Sequence, residues 1–291
     1  MKFRTEINLS CAPKILSPER MVLLMGSCFS DNIGGKISSC GWPSIVNPCG
    51  VLYNPVSIAV MFRLCLLHRA IRREIVASSL TLREGRYVSW FMGSKIIDES
   101  PEECVNKVCE AVDSLEEGME KADAIILTFG TPDVWILKGT DRAVGNCHKH
   151  PASEFEKKRI SIEDIVYTWK TLIQAIRNRN PEVKIILTVS PRRYLSDGFE
   201  DNMRQKAVLI LACEKLCKEI EEIYYFPAYE ILNDDLRDYR FYKPDLLHPS
   251  EMAIDYVWDK LKEAYLDKKA IETILKMERK ERQKLHKHIA K

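Results

Sequence analysis

The sequence has no long apolar run. Segments such as Met21 to Met25 fall far short of the roughly 20 residues that cross a bilayer, so no membrane partner is expected. It also lacks an opening with the charged-then-apolar pattern of an export signal, which leads to the expectation of a cytoplasmic protein. Charge of one sign is not in excess: 44 Lys and Arg face 42 Asp and Glu, a net charge of +2. No broad field is then available to gather phosphate backbones, and no nucleic-acid partner is expected. CxxC pairs are absent too. The ten cysteines are scattered along 291 residues and are expected to be reduced thiols rather than a disulfide framework. Cys213 and Cys217, one helical turn apart, read as small apolar side chains.

What is present is ordinary globular composition, 46% hydrophobic and 30% charged, in a chain long enough to bury a large core. Apolar runs bounded by turn residues predict strands over Met21–Met25, Ala124–Phe129 and Lys184–Val189, with a short one near Tyr224–Pro227. Helical spacing predicts helices over 31–39, 56–75, 100–121, 161–179, 202–223 and 251–265. The stretch from Leu82 to Ile97 reads as a hairpin-like excursion. Strands alternating with helices of this length predict a parallel sheet covered on both faces. One α/β domain is expected over 1–265, followed by a charged helical tail over 266–291, solvated or bound to a partner.

Ligands in open α/β sheets bind beyond the carboxyl ends of the strands. The loops there carry Ser27, Gly50, Thr131 with Asp133, Arg192 with Arg193, and Asp245 with His248. Ser27 follows Gly26 at a strand-to-helix turn, where a hydroxyl can project while helix amides face a developing negative charge. Capping the following helix is its bland alternative role. Asp245-Leu246-Leu247-His248 supplies what a serine nucleophile needs, a base and a carboxylate to orient it, within one loop. Cys28, beside the helix N-terminus, is the rival nucleophile. Cys147-His148-Lys149-His150 brings thiol and imidazole together, but no second cluster completes a zinc set, so no metal and no cofactor are expected.

Gly26-Ser27-Cys28-Phe29-Ser30 resembles the signature of the GSCFA family, a branch of the SGNH (GDSL-like) hydrolase superfamily. Further blocks match, among them Asn47-Pro48-Cys49-Gly50, Phe129-Gly130-Thr131, Asn146-Cys147-His148-Lys149, Phe226-Pro227-Ala228-Tyr229-Glu230 and His248-Pro249-Ser250. The resemblance implies a three-layer α/β/α sandwich with a flavodoxin-like parallel sheet. It also implies Ser27 as nucleophile, Asp245 and His248 as the other triad members, and Gly50 as a backbone oxyanion donor, to which the N–H of Ser27 or Cys28 and a contribution from Thr131 are expected to add. The superfamily's Gly-x-Asn-Asp block reads Gly130-Thr131-Pro132-Asp133 here, so the asparagine donor is missing. Asn146, His148 and Arg192 are the expected substrate contacts.

The expected function is serine-dependent hydrolysis of an acyl ester on a small molecule or carbohydrate. Two alternatives stand beside it. One is transfer of the acyl group from an acyl donor such as coenzyme A to a sugar, and the other is a noncatalytic carbohydrate-binding protein on the same fold.

Overall fold

The computed structural model describes residues 5–9 and 13–289. In chain order, β1 (Val22–Gly26) leads into α1 (Cys28–Ser39) and β2 (Ser44–Val46), followed by α2 (Pro55–Cys65) and α3 (Arg69–Ala77). The hairpin β3 (Leu80–Arg83) and β4 (Arg86–Ser89) precedes α4 (Pro101–Lys121) and β5 (Ala124–Phe129). Next come β6 (Asp133–Leu137), β7 (Ala143–Val144), β8 (Phe155–Arg159), α5 (Ile162–Arg179), β9 (Lys184–Val189), α6 (Phe199–Glu219) and β10 (Ile223–Phe226). A single turn α7 (Ala228–Glu230), α8 (Glu251–Tyr265) and α9 (Lys268–Ile289) complete the chain.

Five strands form one parallel sheet in the order β10-β9-β5-β1-β2. Numbered along the chain, these strands lie 2-1-3-4-5, the flavodoxin-like order, whose switch point falls between β1 and β5. Side-chain alternation divides the core in two. Leu23 and Met25 pack with Phe62, Leu115, Trp169 and Leu209 from α2, α4, α5 and α6, while Val22 and Leu24 pack with Ile33, Ile37, Ile254 and Trp258 from α1 and α8. The result is the expected three-layer α/β/α sandwich.

Helix starts follow their caps. The side chains of Ser100, Ser161 and Ser250 each accept the N–H three residues on, and acidic residues occupy the first turns of α4, α5 and α8. The single helix expected over 56–75 is instead two. After Leu66 the chain turns, and His68 caps α3 through its Nδ1, so α2 lies in the core while α3 reaches α4 with the buried Arg72 bound to Asp113 and Glu116.

A three-stranded antiparallel sheet, β7-β6-β8, was not expected from the sequence. Its strands are short, and β8 is Phe-Glu-Lys-Lys-Arg with only Phe155 buried, so no apolar run announces it. The terminal helix also departs from a merely solvated tail: Ile274 is buried, and Ile271 and Met277 pack on the core shared by α1 and α8. Every cysteine among the described residues is a free thiol. No helix of the described residues is long and apolar enough to cross a membrane.

Candidate active site

β1 runs into the switch point and ends at Gly26, whose φ of 140° lets the backbone turn against β5. A Cβ at this position would lie 2.2 Å from the Thr128 carbonyl oxygen, so only glycine fits. Ser27 follows, fully buried, as the N-cap of α1, and its Oγ accepts the Phe29 N–H at 3.2 Å. The capping role is therefore real. It coincides with the position where α/β sheets put ligands.

The second part of the site comes from the loop before α8. Asp245 Oδ1 accepts the N–H groups of Leu247 at 2.9 Å and His248 at 3.0 Å, and Oδ2 meets His248 Nδ1 at 2.5 Å. Leu246 takes a left-handed φ of 56° to close this turn. The backbone N–H of His248, then its ring N–H, and the N–H of Leu247 hold the Asp245 carboxyl well below the usual carboxylate range. His248 Nε2 accepts a hydrogen bond from Arg192 Nε at 2.7 Å. The two contacts together assign the tautomer: Nδ1 carries the proton toward Asp245 and Nε2 presents a lone pair. That is the tautomer a general base for serine requires.

Arg192 joins the two parts. Its guanidinium stacks on Tyr194 at 4.5 Å and on Tyr53 at 5.9 Å, and its charge acts on the thiol of Cys28, next to Ser27. The Arg193 N–H donates to Leu247 O at 3.0 Å, and the Arg193 side chain stacks on Tyr242 at 4.0 Å, which pins the Asp245 loop to the segment after β9. Burial pushes the Cys28 thiol above its ordinary range, with Arg192 opposing, and this weakens Cys28 as a nucleophile.

The expected oxyanion donors fare unequally. Gly50 N–H closes a turn on Asn47 O at 2.8 Å, and Ser27 N–H is committed to Thr128 O at 3.2 Å. Thr131 donates its N–H to Tyr53 O and its hydroxyl to Gln205 Oε1. Each of these donors is engaged by a partner within the fold. Cys28 N–H remains, among the unpaired amides that begin a helix.

Two of the three expected substrate contacts make hydrogen bonds within their own part of the fold. His148 is buried against Trp90, with Nε2 at 2.8 Å from Ser89 O, and desolvation lowers its pKa. Asn146 Oδ1 accepts the His148 N–H at 2.7 Å, bracing that turn. Only Arg192 reaches the Asp–His pair. Asp133 is held by Arg159 at 2.7 Å and Lys157 at 3.0 Å, and the same cations bind Asp201 and Asp197. These three aspartates are the one group of potential metal ligands among the described residues, and each is already paired with Arg159, Lys157 or both.

Sequence reasoning missed Lys206 and Tyr194. Lys206 is buried, with Nζ donating to Gly130 O and Ser190 O at 2.8 Å each, so it ties the ends of β5 and β9 together. Desolvation, then the Arg192 charge, holds its pKa well below the ordinary lysine range. The signal was a lysine on the inward stripe of α6, between Asn202 and Leu209. Beside Tyr194 opens a cavity of about 160 Å³, whose walls include Tyr53, Asn54, Thr131, Trp135 and Gln205.

Fold and site together define a three-layer α/β protein with a parallel sheet, a serine at the end of the first strand and an Asp–His pair on a late loop. The chain belongs to the GSCFA family, whose profile matches residues 21–261. No curated protein matches the chain. Among solved structures, it is similar to a carbohydrate esterase family 2 enzyme with a carbohydrate binding domain from Corynascus thermopiles (Myceliophthora fergusii). That pair shares 8% identity and a TM-score of 0.42, over 87% of this chain and 67% of the other. It is also similar to a carbohydrate esterase family 3 protein from Talaromyces cellulolyticus, at 9% identity and TM-score 0.35, over 88% and 99%. A third is an acetyl xylan esterase from the rumen bacterium Butyrivibrio proteoclasticus, at 13% identity and TM-score 0.38, over 84% and 64%.

Proposed function

We propose that this chain is a serine-dependent acyl-ester hydrolase acting on an acylated small molecule or carbohydrate. The observation that carries the reading is the Asp245–His248 pair, whose imidazole is oriented by the carboxylate and offers its Nε2 lone pair. A surface histidine with no chemistry to perform has no need of that arrangement. In the reaction, Ser27 Oγ adds to the ester carbonyl while His248 Nε2, released by Arg192, takes the serine proton. Asp245 stabilises the imidazolium, which returns the proton to the departing alcohol, and water then attacks the acyl-serine by the reverse route. The Cys28 N–H supports the oxyanion from the first turn of α1. The cavity beside Tyr194 combines aromatic and polar walls, which suits the alcohol part of a sugar ester.

The complete burial of Ser27 favours, as a second reading, transfer of the acyl group to a sugar hydroxyl from which water is kept. Thioester consumption that depends on a sugar acceptor is its signature.

The first test is covalent labelling with a fluorophosphonate and mapping of the adduct by mass spectrometry. Wild type should carry the adduct on Ser27 alone, and Ser27→Ala should take up none and hydrolyse p-nitrophenyl acetate at least about 10³-fold more slowly. The same change removes the cap of α1, a loss of about 0.5–2 kcal/mol, so the variant should melt a few degrees lower yet remain folded. An adduct on Cys28, or labelling that survives Ser27→Ala, would sink the assignment.

A further inference from the structure

Pro132, in the loop after β5, can offer an oxyanion neither a side-chain donor nor an N–H. Tyr194 reaches this loop from another part of the chain. Tyr194 lies beyond β9, and its ring comes back over the end of β5 so closely that a Cβ at Gly130 would lie 2.4 Å from its hydroxyl oxygen. Gly130 follows β5, and β5 is the direct neighbour of β1, which ends just before Ser27. The phenol therefore sits over the strand beside the serine.

That hydroxyl is closed off from solvent and its O–H donates to no acceptor. A buried donor without an acceptor is costly, and a ligand that supplies the acceptor is one physical reason for a fold to keep it. Its position is fixed from several sides. The ring meets Tyr53 edge-on at 6.2 Å, Arg192 stacks on it, and the Lys206 ammonium lies 4.9 Å from its centroid. The Tyr194 N–H is anchored to Asn202 Oδ1 at 2.8 Å. Burial raises the phenol above its ordinary pKa, Arg192 opposing, so it stays protonated and able to donate.

We propose that the Tyr194 hydroxyl is an oxyanion donor of the Ser27 site and supplies a hydrogen bond that Pro132 cannot give. The proposal rests on the acyl-ester reading of Ser27. As Ser27 Oγ bonds to the carbonyl carbon, the C=O π pair moves onto oxygen, and the Tyr194 O–H donates a hydrogen bond to that oxygen without giving up its proton. The pair returns to re-form the carbonyl as the bond to the leaving alcohol breaks, and His248 delivers the proton that alcohol needs. Arg192 covers the same space, so the substrate displaces the guanidinium and frees His248 Nε2 in the same movement.

Tyr194→Phe isolates the hydroxyl, because the ring, its stacking and its volume are kept. In the full chain, kcat for p-nitrophenyl acetate should fall about 10²- to 10³-fold with KM within about threefold. Ser27 should still be labelled to completion by the fluorophosphonate. The melting temperature should stay level or rise by a few degrees, since an unpaired buried hydroxyl is removed. An unchanged kcat in a chain that still labels at Ser27 overturns the Tyr194 role alone. The role is equally overturned by a loss confined to KM, or by a loss of kcat that comes with a lower melting temperature. If wild type neither labels at Ser27 nor depends on it for turnover, the acyl-ester reading falls and the oxyanion role falls with it.

Discussion

Replacing Asp245 by Asn is expected to lower kcat for a p-nitrophenyl ester by about 10⁴-fold while leaving the fold intact. The carboxylate accepts three N–H groups, two from the loop backbone and one from the His248 ring. An amide in its place can turn its NH₂ toward the ring, which favours the tautomer whose proton sits on Nε2 and leaves no lone pair for the serine proton. Loop geometry survives this swap because the side-chain oxygen can still accept the backbone N–H groups. The carboxylate stays charged through the usual carboxylate range, so loss of rate on acidification into that range belongs to another group. Asp133→Asn is the control. Asp133 binds Arg159 and Lys157 and no histidine, so its replacement should lower stability more than kcat. Steady-state kinetics on both variants decide the matter: if Asp133→Asn is the more damaging to kcat and Asp245→Asn is nearly silent, the Asp245–His248 assignment is lost.

Gly26→Ala carries the largest expected effect on stability. The residue has φ of 140°, a conformation that costs a non-glycine residue about 1–3 kcal/mol. The new methyl would also lie 2.2 Å from the Thr128 carbonyl oxygen and 2.9 Å from the Thr128 carbon and nitrogen, all backbone atoms that cannot rotate away. β1 must then part from β5 at the switch point, disturbing the Ser27 N–H to Thr128 O bond and the Gly26 N–H to Asn47 Oδ1 bond. A total on the order of 4 kcal/mol is expected, at the upper end for a single substitution, with a melting temperature lower by about 10 °C or more. Gly35→Ala, in α1 with nothing within 4 Å of the new methyl, should instead stabilise by about 0.5–1 kcal/mol. A Gly26→Ala protein that melts within about 2 °C of wild type would show that the backbone does not follow this path.

Much of the scaffold was legible because burial leaves a local record. Ala124–Phe129 and Lys184–Val189 are strands with the bounds their apolar runs predict, and both are buried between helical layers. Ser100, Ser161 and Ser250 mark helix starts because each side chain serves the amides three residues on. Where the local record is faint, the reading failed. The strands Asp133–Leu137 and Phe155–Arg159 pair with each other across an excursion in which few side chains are buried, and Leu66 to His68 breaks a helix whose apolar pattern continues past the break.

The site divides along the same line. Asp245-x-x-His248 is a contact within four residues, and a serine after a strand-ending glycine is a local geometry, so the sequence alone determined both, together with the alternating order of the elements. The tertiary structure decided which groups face one another. Arg192 meets His248 across 56 positions, and the Tyr194 hydroxyl approaches Gly130 although β6, β7, β8, α5 and β9 lie between them in the chain. It also showed that Gly50 and Thr131 commit their donors to the loops and that His148 is a buried brace. Such pairings are set by strand order and by the path of each loop over the sheet edge. Neither leaves a period or a spacing in the chain, because the free energy that selects them is gained only once all five strands are in place.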